Sequence, residues 1–178
     1  MFGKRGLLIG VLAAVALSYG SAFAGQYFVE VSAGSESENN SLFSRVGTFK
    51  EDGTIDWGNN IKIGKGKSPS VALQGKNAVL VYRGTSSENE DELFYRVGTV
   101  DLTTMAATWG AEVKYSKGAG PSVALKGTRV VEVHQSPAKD KIWITVGVMD
   151  PQRQQIAWGT SVLYDEAGRS PAISIEGE

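Results

Sequence analysis

One pattern occurs three times in this chain, at a nearly constant spacing, and that repetition limits the fold more than any other feature. The segment Leu42-Phe43-Ser44-Arg45-Val46-Gly47-Thr48 returns as Leu93-Phe94-Tyr95-Arg96-Val97-Gly98-Thr99 and, eroded, as Ile142-Trp143-Ile144-Thr145-Val146-Gly147-Val148. Trp-Gly recurs at 57–58, 109–110 and 158–159, and Ser-Pro-Ser-Val-Ala-Leu at 68–73 matches the segments at 120–125 and 170–175. All offsets lie between 49 and 52 residues, so the chain holds three like units, each too small to bury a core alone. A fourth marker follows two of the proline segments, as Val79-Leu80-Val81-Tyr82 and Val131-Glu132-Val133-His134. Its third copy, Val29-Glu30-Val31-Ser32, stands at the start of the pattern, which is expected to make the N-terminal strand 27–33 complete the last repeat.

Each unit reads as four short strands. In the middle copy they run from Leu93 to Val100, through Trp109 to about Tyr115, from Ser122 to Leu125 and from Arg129 to His134, with glycine turns between. Period-two alternation of valines with polar residues and strands every 8–12 residues predict an antiparallel all-β fold without helix. Four strands in about 50 residues suit a β-propeller blade. A β-trefoil, also three repeats of four strands, is the alternative.

The first 24 residues carry a different message. Lys4 and Arg5 precede an apolar run over 7–17, and Ala22-Phe23-Ala24 follows. That order is expected of a secretory signal peptide cut after Ala24, and the run of about 11 residues falls short of the roughly 20 needed to span a membrane. No cysteine stands at the cut, which excludes a lipoprotein. The expected product, residues 25–178, is secreted or periplasmic and keeps 16 basic against 19 acidic residues, a net charge of −3, with no membrane insertion. A weakly acidic chain argues against nucleic acid as a partner. With no cysteine and one histidine, thiol chemistry, disulfides and multi-histidine metal sites are excluded.

The succession Pro-Ser-Val-Ala-Leu, glycine turn, Val-Glu-Val, polar loop, Leu-Phe-Tyr-Arg, Trp-Gly resembles the blade of tectonin-like bacterial and fungal propeller lectins, over essentially all of residues 25–178. The resemblance implies a multivalent carbohydrate-binding protein whose partner is a glycan. A single-chain propeller has more than three repeats, so it also implies assembly. Two chains would make a six-bladed ring, with fucose-binding lectins built from two-blade chains as a precedent and a dimer the favoured homo-oligomer.

Candidate ligand residues follow from the repeats. Trp57, Trp109 and Trp158 are equivalent and offer faces on which a pyranose stacks, although aromatics wedged in a core repeat equally well. Arg45 and Arg96 match, with Thr145 in the third copy, and Glu30 and Glu132 match, with Leu80 between. Arginine, carboxylate and aromatic together supply donors, acceptors and a stacking surface. A solvated surface or a structural ion pair is the plainer explanation. Tyr115 and Tyr164 align, with Ile63 in the first copy. His134 aligns with Ser32 and Tyr82 and belongs to no repeated chemistry. The oxygen-rich loops 35–40 and 86–92 have a basic counterpart at 137–141, so they read as solvated turns rather than calcium sites. No catalytic residue, metal or cofactor is assigned, and a non-catalytic protein–protein scaffold of the cell envelope is the alternative function.

Overall fold

The computed structural model describes residues 14–16, 26–50, 52–85 and 89–176. The expected cleavage at Ala24 and most of the apolar leader lie outside these residues, as does the stretch 86–88 of one acidic loop. Among the described residues the chain is all β, with one short 3-10 turn, Glu36–Glu38, and no helix long and apolar enough to cross a membrane.

Fifteen strands among the described residues form three antiparallel sheets. The first contains β1 (Ala14–Ala16), β2 (Tyr27–Ala33), β3 (Ser41–Phe49), β4 (Ile55–Trp57) and β5 (Ile61–Lys65). The second contains β6 (Lys67–Gln74), β7 (Asn77–Arg83), β8 (Glu92–Asp101), β9 (Ala106–Trp109) and β10 (Val113–Lys117). The third contains β11 (Ala119–Lys126), β12 (Arg129–Gln135), β13 (Ile142–Asp150), β14 (Gln155–Trp158) and β15 (Val162–Asp165). Among the described residues no ladder joins one sheet to another, as a barrel shared by the repeats would require.

Two expectations change. The strand expected to run through Trp109 to Tyr115 is two strands, β9 and β10, both pairing with β8. Trp109 faces Gly98 and Val113 faces Tyr95, so one side carries an extra residue, which breaks the ladder at 110–112. The strand 27–33 does not pair with the last repeat within this chain. It pairs with β3, and residues 170–176 lie in no ladder. The physical reason is the order of the sheets, because the second lies between the first and third.

Two apolar layers fix that order. Val29, Val31, Leu42 and Val46 of the first sheet meet Leu80, Tyr82, Phe94 and Val100 of the second. Val79, Val81, Tyr95 and Val97, from the opposite face of the second sheet, meet Val123, Leu125, Val130 and Met149 of the third. Burial shows where the stack stops: Val46 and Val97, facing the next sheet, are 0% and 1% exposed, whereas their equivalent Val146 is 53% exposed. Valine-rich strands buried on both faces give the middle sheet no wet side.

The repeated Val-Gly and Trp-Gly pairs have a shared cause. Each tryptophan stands directly across a ladder from a glycine: Trp57 from Gly47, Trp109 from Gly98 and Trp158 from Gly147. A Cβ on Gly98 would lie 2.6 Å from the Trp109 ring, and one on Gly147 2.8 Å from the Trp158 ring. In the second and third sheets the indole fills the space that a side chain would take. The glycine after the tryptophan works on the other face. A Cβ on Gly58 would strike the Met105 carbonyl, and one on Gly110 would lie 2.8 Å from the Gln154 side chain. Met105 and Gln154 hold positive φ (52° and 54°) at the hairpin turn of the following sheet, which seats itself on that glycine.

Candidate functional site

The expected ligand residues divide by which face of which sheet they occupy. Trp109 points from the second sheet towards the first, and Trp158 from the third towards the second, each with its indole nitrogen buried and, among the described residues, without a hydrogen-bond partner. Tyr115 stacks on Trp158 at 5.0 Å and 22°, and Tyr95 meets both edge-on. The Tyr95 hydroxyl accepts the Ile156 N–H at 3.1 Å. Glu132 is fully buried on the same side. These four candidates, Trp109, Trp158, Tyr115 and Glu132, are walled in by a neighbouring sheet and join sheet to sheet. The solvated-surface explanation fails for Glu132, because its face of the strand is covered by the second sheet, more completely than the valine face, which belongs to the open end of the stack.

Around Glu132 lies a polar network. Its Oε2 is 2.9 Å from His134 Nδ1, and His134 Nε2 is 3.5 Å from the Ser116 hydroxyl. The two strand residues face the second sheet because they are two apart, and β10 brings Ser116 over them. Burial above all, then the Glu132 charge, pushes the Tyr115 hydroxyl well above its usual range. The order serine, histidine, carboxylate is that of an activated nucleophile. Here the imidazole is sealed, since a Cβ on Gly118 would lie 2.5 Å from its Cδ2. Gln135, not His134, lines the nearby cavity formed by the proline segments. The arrangement fastens β10 to β12.

The matching position in the second sheet carries another network. Arg96 donates to the Gly110 carbonyl at 2.8 Å and to the Tyr82 hydroxyl at 3.2 Å, and lies 3.7 Å from Glu112, which Tyr82 also meets. Its guanidinium passes close to Gly64 of the first sheet, where a Cβ would lie 3.4 Å away. Burial and Glu112 raise the Tyr82 hydroxyl.

Only the first repeat leaves the expected set open. Glu30 and Arg45 are paired at 2.9 Å, and the Arg45 guanidinium lies 3.8 Å over the Trp57 ring. Trp57 is 39% exposed because Phe28, not Trp57, covers Gly47; its ring meets Phe28 edge-on at 5.1 Å. The face also carries Phe49, and among the described residues no sheet lies over it. Tyr164 belongs to the opposite end of the stack, 74% exposed beside Val146, Val148 and Val162. The nine candidates are therefore spread over two closed junctions and two open end faces.

The repeats missed by site reasoning are the proline segments. Residues 68–70, 120–122 and 170–172, with Gln135, line a cavity of about 320 Å³ where β6, β11 and the segment 170–172 converge. Ser70 accepts the Val123 N–H and Ser122 the Ile173 N–H, each at 3.2 Å, so one hydroxyl ties β11 to β6 and another ties residues 170–176 to β11. The signal was present as Ser-Pro-Ser, Gly-Pro-Ser and Ser-Pro-Ala. Among the described residues no group of three or more His, Asp or Glu is placed to hold a metal ion. Neither a family model, nor a curated protein, nor a solved structure matches the chain.

Proposed function

We propose that this is a non-catalytic interaction protein, exported to the periplasm or beyond, whose three sheets are propeller-type blades and whose two end faces are docking surfaces for protein. The observation that carries the reading is the pair of open apolar faces: Phe49 and Trp57 at one end, Val146, Val148, Val162 and Tyr164 at the other. Soluble chains seldom leave contiguous apolar area uncovered without an occupant. The equivalent residues inside the stack are the ones that bind sheet to sheet, so the end faces already have the chemistry of a junction.

A second reading, carbohydrate binding, is favoured by one observation, the open set of Trp57, Arg45 and Glu30. A pyranose stacked on that indole would find donors and acceptors beside it. A broad glycan array, run with calcium and again with chelator, separates the two. The interaction reading expects no binding that free sugar competes away. A competable signal that disappears in Trp57→Ala, with the far-ultraviolet spectrum unchanged, would overturn it in favour of a lectin.

A further inference from the structure

We propose that the processed chain pairs with a second copy of itself, residues 170–176 of each copy adding to the edge of β2 in the other, so that two stacks of three sheets close a single ring. This rests on reading the end faces as docking surfaces, and names their occupant.

The first support is the segment itself. Inner strands β6 and β11 each follow the last strand of one sheet and enter the next. Residues 170–176 follow β15 in the same way, but enter no sheet of this chain. They nevertheless keep the local geometry of an inner strand: Ser68, Gly120 and Ser170, each before a proline, have φ of 50°, 55° and 49°. Ile173 also donates to Ser122 as Val123 donates to Ser70.

The second support is the edge that is offered. In the second and third sheets Ala72 and Ala124 stand opposite Val79 and Val131, the equivalents of Val29. In the first sheet the leader takes that place, with Ala14 opposite Val29, Val15 opposite Phe28 and Ala16 opposite Tyr27. Removing the leader strips β2 of its neighbour and leaves an unpaired edge, which invites another strand. The repeat dictates the register of the replacement: Ser174 opposite Val29, Ile173 opposite Glu30 and Ala172 opposite Val31.

The third support is that the end faces match under the same operation. Tyr164 would lie on the second copy's Trp57 as Tyr115 lies on Trp158. Gly159 would seat the second copy's turn around Gly53, as Gly110 seats the turn at Gln154. Asp165 is equivalent to Ser116 and Gly64, the residues that lie beside His134 and Arg96, so its carboxylate would come over the outer face that carries Arg45. Aromatic meets aromatic, glycine meets turn, and anion approaches cation. Each seam joins unlike ends of the chain, and two such seams, related by a two-fold axis, close the ring.

The chain has no cysteine, so the register can be read covalently. Val123 spends its N–H on Ser70, which makes its pair with Glu132 a non-hydrogen-bonded one, with Cα atoms about 4.5 Å apart, within reach of a disulfide. Ile173→Cys with Glu30→Cys reproduces that pair at the seam. The protein is made with its leader, its N-terminus read by mass spectrometry, then oxidised gently and run on a non-reducing gel. A disulfide-linked dimer as the main species is the expected result, with little cross-linking in either single variant or in the shifted pair Glu176→Cys with Glu30→Cys. A link within one chain, equal cross-linking in the shifted pair, or a lone chain that retains or has lost residues 14–16 would overturn the proposal. Failure here with a silent glycan array removes only the second copy as occupant. A sugar signal that needs Trp57 removes the interaction reading itself.

Discussion

At the scale of single residues, space and proton affinity decide most outcomes. Gly98→Ala and Gly147→Ala each drive a methyl group into an indole that cannot retreat from the next sheet. Overpacking of that kind costs about 1–3 kcal/mol, measurable as a lower denaturant midpoint, with the secondary-structure content of the native protein unchanged. Trp158→Ala should cost about 3–5 kcal/mol, the range for emptying an aromatic site in a core. Trp57→Ala, in a single chain, gives up chiefly its contacts with Arg45 and Phe28 and should cost about 1 kcal/mol. Tyr82 and Tyr115 add a pH dependence. Their folded-state affinities for the proton are raised, so the unfolded chain ionises first, near its ordinary value of 10.0. The stability linked to them is complete below that value and is lost as the pH climbs towards the folded-state values. Denaturant midpoints taken from pH 8 to 11 should fall only above about pH 10, and the fall should shrink in Tyr115→Phe.

At the scale of strands, hydroxyl links between inner strands stand beside the ladders. Ser70→Ala and Ser122→Ala each orphan one backbone N–H. Each should lower stability by about 1 kcal/mol, and hydrogen exchange should quicken at Val123 in the first variant and at Ile173 in the second. The strands themselves were legible in the sequence, since Val131-Glu132-Val133-His134 alternates and glycine turns bracket it. The environment of its polar residues was not. Alternation shows that two faces differ, not that either is wet, and Glu132 and His134 face a layer formed by residues some 15 to 50 positions earlier in the chain. The break at 110–112 was equally hidden, because it arises from one extra residue against β8 rather than from a turn signal. Equivalence of Trp57, Trp109 and Trp158 was plain, yet only three-dimensional order tells which of them has a sheet in front of it.

At the scale of the whole molecule, three sheets in a row must have two ends, and those ends are apolar. The same repeat that packs the second sheet on the first and the third on the second has a next step, from the third sheet to a first sheet. Within one chain that step is blocked by the sheet in between; between two chains it is open. A ring of two copies would cover both apolar ends, return residues 170–176 to a ladder and leave no inner edge unpaired. Light scattering on the processed protein, followed through a hundredfold dilution, tests this most directly. Twice the chain mass, persisting on dilution in the wild type and falling to one chain mass in Ser174→Pro, is the predicted result. A single-chain mass in the undiluted wild type would contradict it.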